Sequence, residues 1–202
     1  MFNDYFRPSS REETRDILIS VGALTLAFFI LNAIHSPTRL SAYDAAEYML
    51  EAVVGMASAF LLHELSHRYL ARKYGGTAYF RMWPFGIVLA LITSVIGIIF
   101  AAPGAVNISG LYGKDQVGKI ALAGPMTNLI LGIIFLGIAA ATLPGSLMSN
   151  VFYFAATINV WFSFFNMIPF PPLDGSKVIR WNMSYYLIFT ASSLAMAVYL
   201  FF

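Results

Sequence analysis

The sequence predicts an all-α polytopic membrane protein with one re-entrant or β-like segment, about five to six membrane segments around a three-helix core. Three observations lead there. Of the 202 residues, 59% are hydrophobic and only 11% charged, with a mean hydropathy of +0.73; a soluble domain carries roughly a quarter charged residues. Apolar runs of spanning length recur along the chain, separated by short polar or turn-rich stretches. One run also holds His63, Glu64 and His67 at helical spacing. Ionisable groups at membrane depth cost roughly 2.5–3.5 kcal/mol on insertion scales, so they point to a function rather than to packing.

Taken in order, residues 1–16 are polar, with Arg7, Arg11 and Arg15 among Asp4, Glu12, Glu13 and Asp16, and read as a short cytoplasmic arm. Residues 17–34 are apolar apart from Ser20, Thr25 and Asn32 and form the first span. They are too long for a signal-peptide core, and LNAIHS is a poor cleavage site. His35, before Pro37, reads as an interfacial histidine. Residues 45–74 form one long second helix, entering with Glu47 and Glu51, leaving with Arg68, Arg72 and Lys73, and stopped by Gly75-Gly76. Gly55, Ala57, Ser58 and Ala59 give it a small-residue stripe for close packing.

Residues 77–117 are the re-entrant or β-like region. The aromatic run 77–83 suits a strand, whereas 85–101 is apolar and rich in β-branched residues, which fits either a helix or two short strands. Pro103-Gly104 and residues 107–110 are turn signals. The third span is 119–143, with a Gly124-Pro125 step near its start, and the fourth is 151–168, containing Asn159 and Asn166. Residues 166–176, NMIPFPPLDGS, carry three prolines that favour extended backbone. The last span is 184–202. The chain is thus expected to be one integral-membrane domain: arm 1–16, metal helix 45–74, region 77–117, remainder of the core 118–176, and last span 184–202.

Hydropathy alone would count 85–101 as a sixth crossing, but two arguments return it to the side it came from. With a cytoplasmic amino terminus and no crossing here, Arg7, Arg11, Arg15, Arg68, Arg72, Lys73, Arg81, Lys114, Lys119, Lys177 and Arg180 all fall on the cytoplasmic side, leaving only Arg39 outside. Independently, a metal shared by the end of the second helix and the end of the fourth span requires an even number of crossings between them.

That metal is predicted from LLHELSHRY, residues 61–69. His63 and His67 lie one turn apart on one helix face, where both imidazoles can grip one ion, and Glu64 sits beside them. Two histidines and a third ligand leave a coordination position for water, whose proton the carboxylate can take during attack on a carbonyl; this is the chemistry of peptide hydrolysis. With no Cys, disulfides and thiolate ligands are excluded, and any metal must use His, Asp or Glu. Asp174 is the best candidate for the third ligand; taken alone, it could equally cap a helix beginning near Ser176. Neither Glu64 nor Asp174 is read as having a basic partner nearby in sequence. No nucleic-acid motif is present.

These residues resemble the site-2 protease family of intramembrane zinc metalloproteases. The resemblance rests on HELSH, on AGPMTN at 123–128 and on NMIPFPPLDG at 166–175, which fall on the second, third and fourth spans in the family's order. It implies one Zn2+ per chain held by His63, His67 and Asp174, with Glu64 as catalytic acid/base in a three-helix catalytic core. It also implies a transmembrane-helix protein substrate cleaved in or near the bilayer, in contact with membrane lipids; the charge pattern adds that the amino terminus and zinc site of this multi-pass protein face the cytoplasm. Ser176 stands where the family usually has Gly, and the segment between HELSH and AGP is long; neither departure touches a ligand. No room is left for a PDZ or CBS module, so substrate selection falls to the membrane core. Asn166 is a candidate for holding substrate backbone or the oxyanion, with an interhelical hydrogen bond as the alternative. The extended 166–173 stretch is expected to offer backbone to a substrate strand, and the first and last spans to move to admit it. A metal-ion carrier would need further in-membrane ligands forming a path, and an inert relative would not need Glu64. The oligomeric state is not legible.

Overall fold

The computed structural model describes residues 8–37, 39–100, 102–111 and 113–201. Residues 1–7 of the expected arm, Arg7 among them, lie outside the described residues, as do Ala101 and Phe202 at the ends of two expected segments.

Helix α1, Ser10–Ile34, starts at a capping box: Glu12 N–H donates to the Ser9 hydroxyl and Ser9 N–H to the Glu12 carboxylate. The helix therefore begins well before the apolar run, and residues 10–16, expected in the arm, are its first turns. Glu13, Asp16, Ser20, Leu24, Ala27 and Phe28 form its buried face at three- and four-residue spacing. A second capping box, Ser41 with Asp44, starts α2, Ala42–Met56. A widened π turn, Ala57–Leu61, carries the chain into α3, Leu62–Lys73, so that Ala42–Lys73 is one continuous rod. Gly75, at φ 84°, ends it where a side chain would strain the backbone.

Strand β1, Thr77–Met82, pairs antiparallel with β2, Gly104–Ser109, from Thr77↔Ser109 to Met82↔Gly104. Between them lies α4, Pro84–Val95, with Pro84 in its first turn. At 1.5 Å per residue this helix is about 18 Å long, short of the ~30 Å hydrocarbon core. Because the strands on either side of α4 pair with each other, the excursion returns to the point where it began. Over its described residues, 85–100, the apolar stretch is thus one short helix with an irregular return.

The rest is helical: α5, Lys114–Ala140; α6, Leu147–Asn166; α7, Gly175–Trp181; and α8, Met183–Phe201. Five helices among the described residues are long and apolar enough to cross a membrane: α1, the α2–α3 rod, α5, α6 and α8. This is a polytopic all-α membrane protein with one small sheet. Its core joins Leu24, Phe28, Met56, Phe60, Phe80 and Ile158, with Phe60 edge-on to Phe80 at 5.8 Å and Phe28 to Phe154 at 6.0 Å.

Candidate metal centre

His63 and His67 are both buried, on the face of α3 turned to α5. His63 Nδ1 lies 2.9 Å from Asn128 Oδ1, and the Asn128 amide donates to the Ala59 carbonyl at 2.9 Å, which fixes which end of the side chain meets the imidazole. His67 Nδ1 lies 2.7 Å from the Ile120 carbonyl, which can only accept. Both rings therefore carry their proton on Nδ1, and both Nε2 lone pairs are left over. These two nitrogens stand 3.0 Å apart. Asp174 Oδ2 completes the group, 3.3 Å from His63 Nε2 and 3.0 Å from His67 Nε2. Two facing lone pairs and a carboxylate oxygen repel one another unless a cation stands among them.

The donor set suits zinc. Tetrahedral ligands at about 2.0–2.1 Å from an ion lie about 3.3 Å from one another, close to the separations found. The space in front of the imidazoles is kept clear by Gly124 of α5, where a Cβ would fall 2.5 Å from both Nε2 atoms. Among the described residues, His63, His67 and Asp174 are the group of His, Asp and Glu side chains able to hold a metal ion.

Asp174 immediately precedes α7, yet its side chain does not cap that helix. One oxygen faces the histidines and the other accepts from Lys177 Nζ at 3.1 Å. The sequence reading that gave Asp174 no basic partner is corrected: Lys177, one turn on, reaches it. The position of Asp174 is set by two close approaches. A Cβ on Gly175 would overlap the Met167 carbonyl, and one on Gly118 of α5 would overlap the Trp181 ring, whose Nε1 donates to Asp115 at 2.9 Å.

Glu64, part-buried beside the histidines, accepts from Val106 N–H of β2 at 3.0 Å. Asn166 donates to Phe162 of its own helix at 3.0 Å, so this hydrogen bond is intrahelical. The proline-rich stretch is not an extended strand. It is a run of turns in which Phe170 N–H donates to Ile168, Leu173 N–H to Phe170 and Ser176 N–H to Leu173, because prolines here reverse the chain instead of stretching it. His35 ends α1 with Nδ1 against the Leu31 carbonyl, away from the metal group. Sequence reasoning missed Asn128 as the residue that orients His63. The available signal was spacing, since Asn128 lies one turn beyond Gly124 and shares its face.

The family profile described as Peptidase family M50 matches residues 137–187. "Putative zinc metalloprotease MJ0611" of Methanocaldococcus jannaschii is 38% identical over 175 residues, covering 86% of this chain and 86% of that protein. "Putative zinc metalloprotease Rip3" of Mycobacterium tuberculosis is 32% identical over 71% of this chain and 34% of its own length, so the match spans about a third of that protein. "Putative zinc metalloprotease YwhC" of Bacillus subtilis is 29% identical over 68% of this chain and 71% of its own. No solved structure gives a significant match.

Proposed function

The chain belongs to peptidase family M50 and is a zinc metalloprotease of the membrane, and on that premise we propose that it is an endopeptidase cutting the transmembrane helices of membrane-anchored substrates, as in regulated intramembrane proteolysis. In this reading His63, His67 and Asp174 hold one zinc ion per chain and Glu64 is the catalytic acid/base. One observation carries the assignment: three donor atoms, each fixed from behind by another group, converge on a point that Gly124 keeps clear.

Bound zinc supplies the Lewis acidity that polarises a carbonyl and makes water a nucleophile near neutral pH. The chain supplies the rest. Asn128 and the Ile120 carbonyl hold the imidazoles in the ligating tautomer, and Lys177 occupies the Asp174 oxygen turned away from them. Glu64 takes the proton of the attacking water and returns it to the leaving amine, while Val106 N–H fixes one carboxylate oxygen.

A helical substrate hides its amides in its own hydrogen bonds and must unwind locally before attack. The outer edge of β2 reaches Glu64 through Val106, which makes it the strand for unwound backbone to pair with. For Asn166 we retain the proposal of a substrate or oxyanion contact, made when its amide leaves Phe162. The single-domain organisation and a cytoplasmic site are supported by where the basic residues gather: Arg68 meets Glu13, Arg81 meets Asp16, and Lys119 and Trp181 share Asp115, so these segments lie together at one end. By the positive-inside rule that end, with the amino terminus, is cytoplasmic.

The test is metal analysis of purified protein together with cleavage of one sequence presented both as a membrane-embedded helix and as a soluble peptide. Stoichiometric zinc and cutting within the membrane-embedded form are expected. Cutting of the soluble peptide alone would overturn the intramembrane assignment.

A further inference from the structure

We propose that Glu13 and Asp16 of α1 are positioning residues, closing the outer edge of β1 and so holding Val106, across the sheet, against Glu64; the proposal rests on Glu64 being the acid/base. In an antiparallel pair every second residue turns its N–H and C=O away from the partner strand. On β1 the outward positions are 78, 80 and 82, and all three are taken. The Ala78 carbonyl accepts from Arg72 Nη2 at 2.7 Å and Nε at 3.1 Å, Phe80 N–H donates to Glu13 Oε1 at 3.0 Å, and Met82 N–H donates to Asp16 Oδ2 at 3.4 Å. Glu13 is 6% exposed and Asp16 fully buried. Together with Ser20, whose hydroxyl donates to the Pro103 carbonyl at 3.1 Å, they make a single polar stripe along α1.

The register gives this stripe its reach. Phe80 pairs with Val106, and both turn their N–H outward, one to Glu13 and the other to Glu64. The same residue pair is therefore gripped from both sides by carboxylates, one on the first helix and one on the metal helix. A neutral acceptor could satisfy Phe80 N–H, but a carboxylate does more. Glu13 Oε2 also accepts from Arg68 Nη2 at 3.1 Å, and Arg68 directly follows His67. Asp16 in turn pairs with Arg81 at 3.3 Å and Arg15 at 3.2 Å. One cluster thus ties α1, α3 and β1 together, and α1 cannot swing from the core without uncapping β1.

The experiment is amide hydrogen exchange on the zinc-loaded full chain, alongside turnover of a membrane-embedded helical substrate. Glu13→Leu is expected to speed exchange at both Phe80 and Val106 and to lower kcat roughly tenfold, with zinc content unchanged. Glu13→Gln keeps an acceptor oxygen and should give a smaller change in both readouts. Wild-type protection at Val106 in Glu13→Leu would overturn the proposal, and so would a loss of activity that merely follows loss of zinc. If Glu13→Leu does not fold, Glu13→Asp decides: it keeps the charge but draws the carboxylate back from Phe80, so faster exchange at Val106 is required. Exchange at Val106 reads the sheet whether or not Glu64 performs the chemistry, so failure here stays distinguishable from failure of that assignment.

Discussion

The α2–α3 rod carries two pairs of buried ionisable residues at the same four-residue spacing, Glu47 with Glu51 and His63 with His67, and their polar atoms are used in opposite ways. Each glutamate has an amide donor from a different helix: Glu47 accepts from Asn150 of α6 at 2.6 Å, and Glu51 faces the Asn32 amide of α1 at 3.4 Å. Their capacity is used in holding three helices together. The histidines use only their Nδ1 atoms in this way, and their Nε2 lone pairs meet each other and Asp174. Spacing and burial therefore do not distinguish a metal centre from a structural polar pair. Lone pairs without protein donors, aimed at one point, do.

Four substitutions break or sharpen this contrast. Glu64→Gln should reduce hydrolysis by roughly 10²–10⁴-fold, because an amide cannot take the proton, while zinc measured by mass spectrometry stays bound; loss of zinc as well would make Glu64 part of the metal-holding set. Asp174→Ala removes the oxygen that faces both imidazoles and should weaken zinc retention by about 10- to 100-fold in chelator competition. Unchanged retention would take Asp174 out of the centre. Gly124→Ala leaves every donor in place but puts a methyl 2.5 Å from both Nε2 atoms. Zinc affinity should fall about tenfold as α5 or the rings give way, and wild-type affinity would show that the cleared space is not needed. Glu47→Ala, which leaves the Asn150 amide without its acceptor, is the control from the other end of the rod. It should cost about 1–2 kcal/mol in thermal or denaturant unfolding and leave zinc content unchanged, and a change in zinc would erase the distinction between the two pairs.

The spans and the histidine pair were legible because both are local: apolar length sets a span, and one helical turn sets the pair. The apolar stretch around α4 was ambiguous because a continuous run has no period to separate helix from strand. Burial of Glu13 and Asp16 was invisible, since a charged segment ahead of a span looks like a solvated arm. Their main partners, Arg68, Phe80, Arg81 and Met82, lie far along the chain and meet them only after β1 is placed. The opposite failure occurred at residues 166–173, where prolines were read as extension and the chain made turns. Lys177 was readable from its i,i+3 spacing to Asp174, because ion pairs at that distance lie on one face.

The widened turn at Ala57–Leu61 has a consequence for what kinds of sequence change the protein can survive. Each α-helical residue rotates the chain by about 100° and advances it about 1.5 Å. A π turn accommodates an extra residue without breaking the rod, so the bearing of His63 and His67 toward Gly124 depends on how many residues precede them as well as on which. Removing one residue from within the turn would let it close to an α turn and leave both imidazoles on nearly their original bearing, whereas a deletion in the α-helical turns, where no extra residue is stored, would rotate the two ends of the rod by about 100° relative to each other. Substitutions along this helix can be judged one position at a time; insertions and deletions cannot, because their effect on His63 and His67 depends on whether the π turn absorbs them.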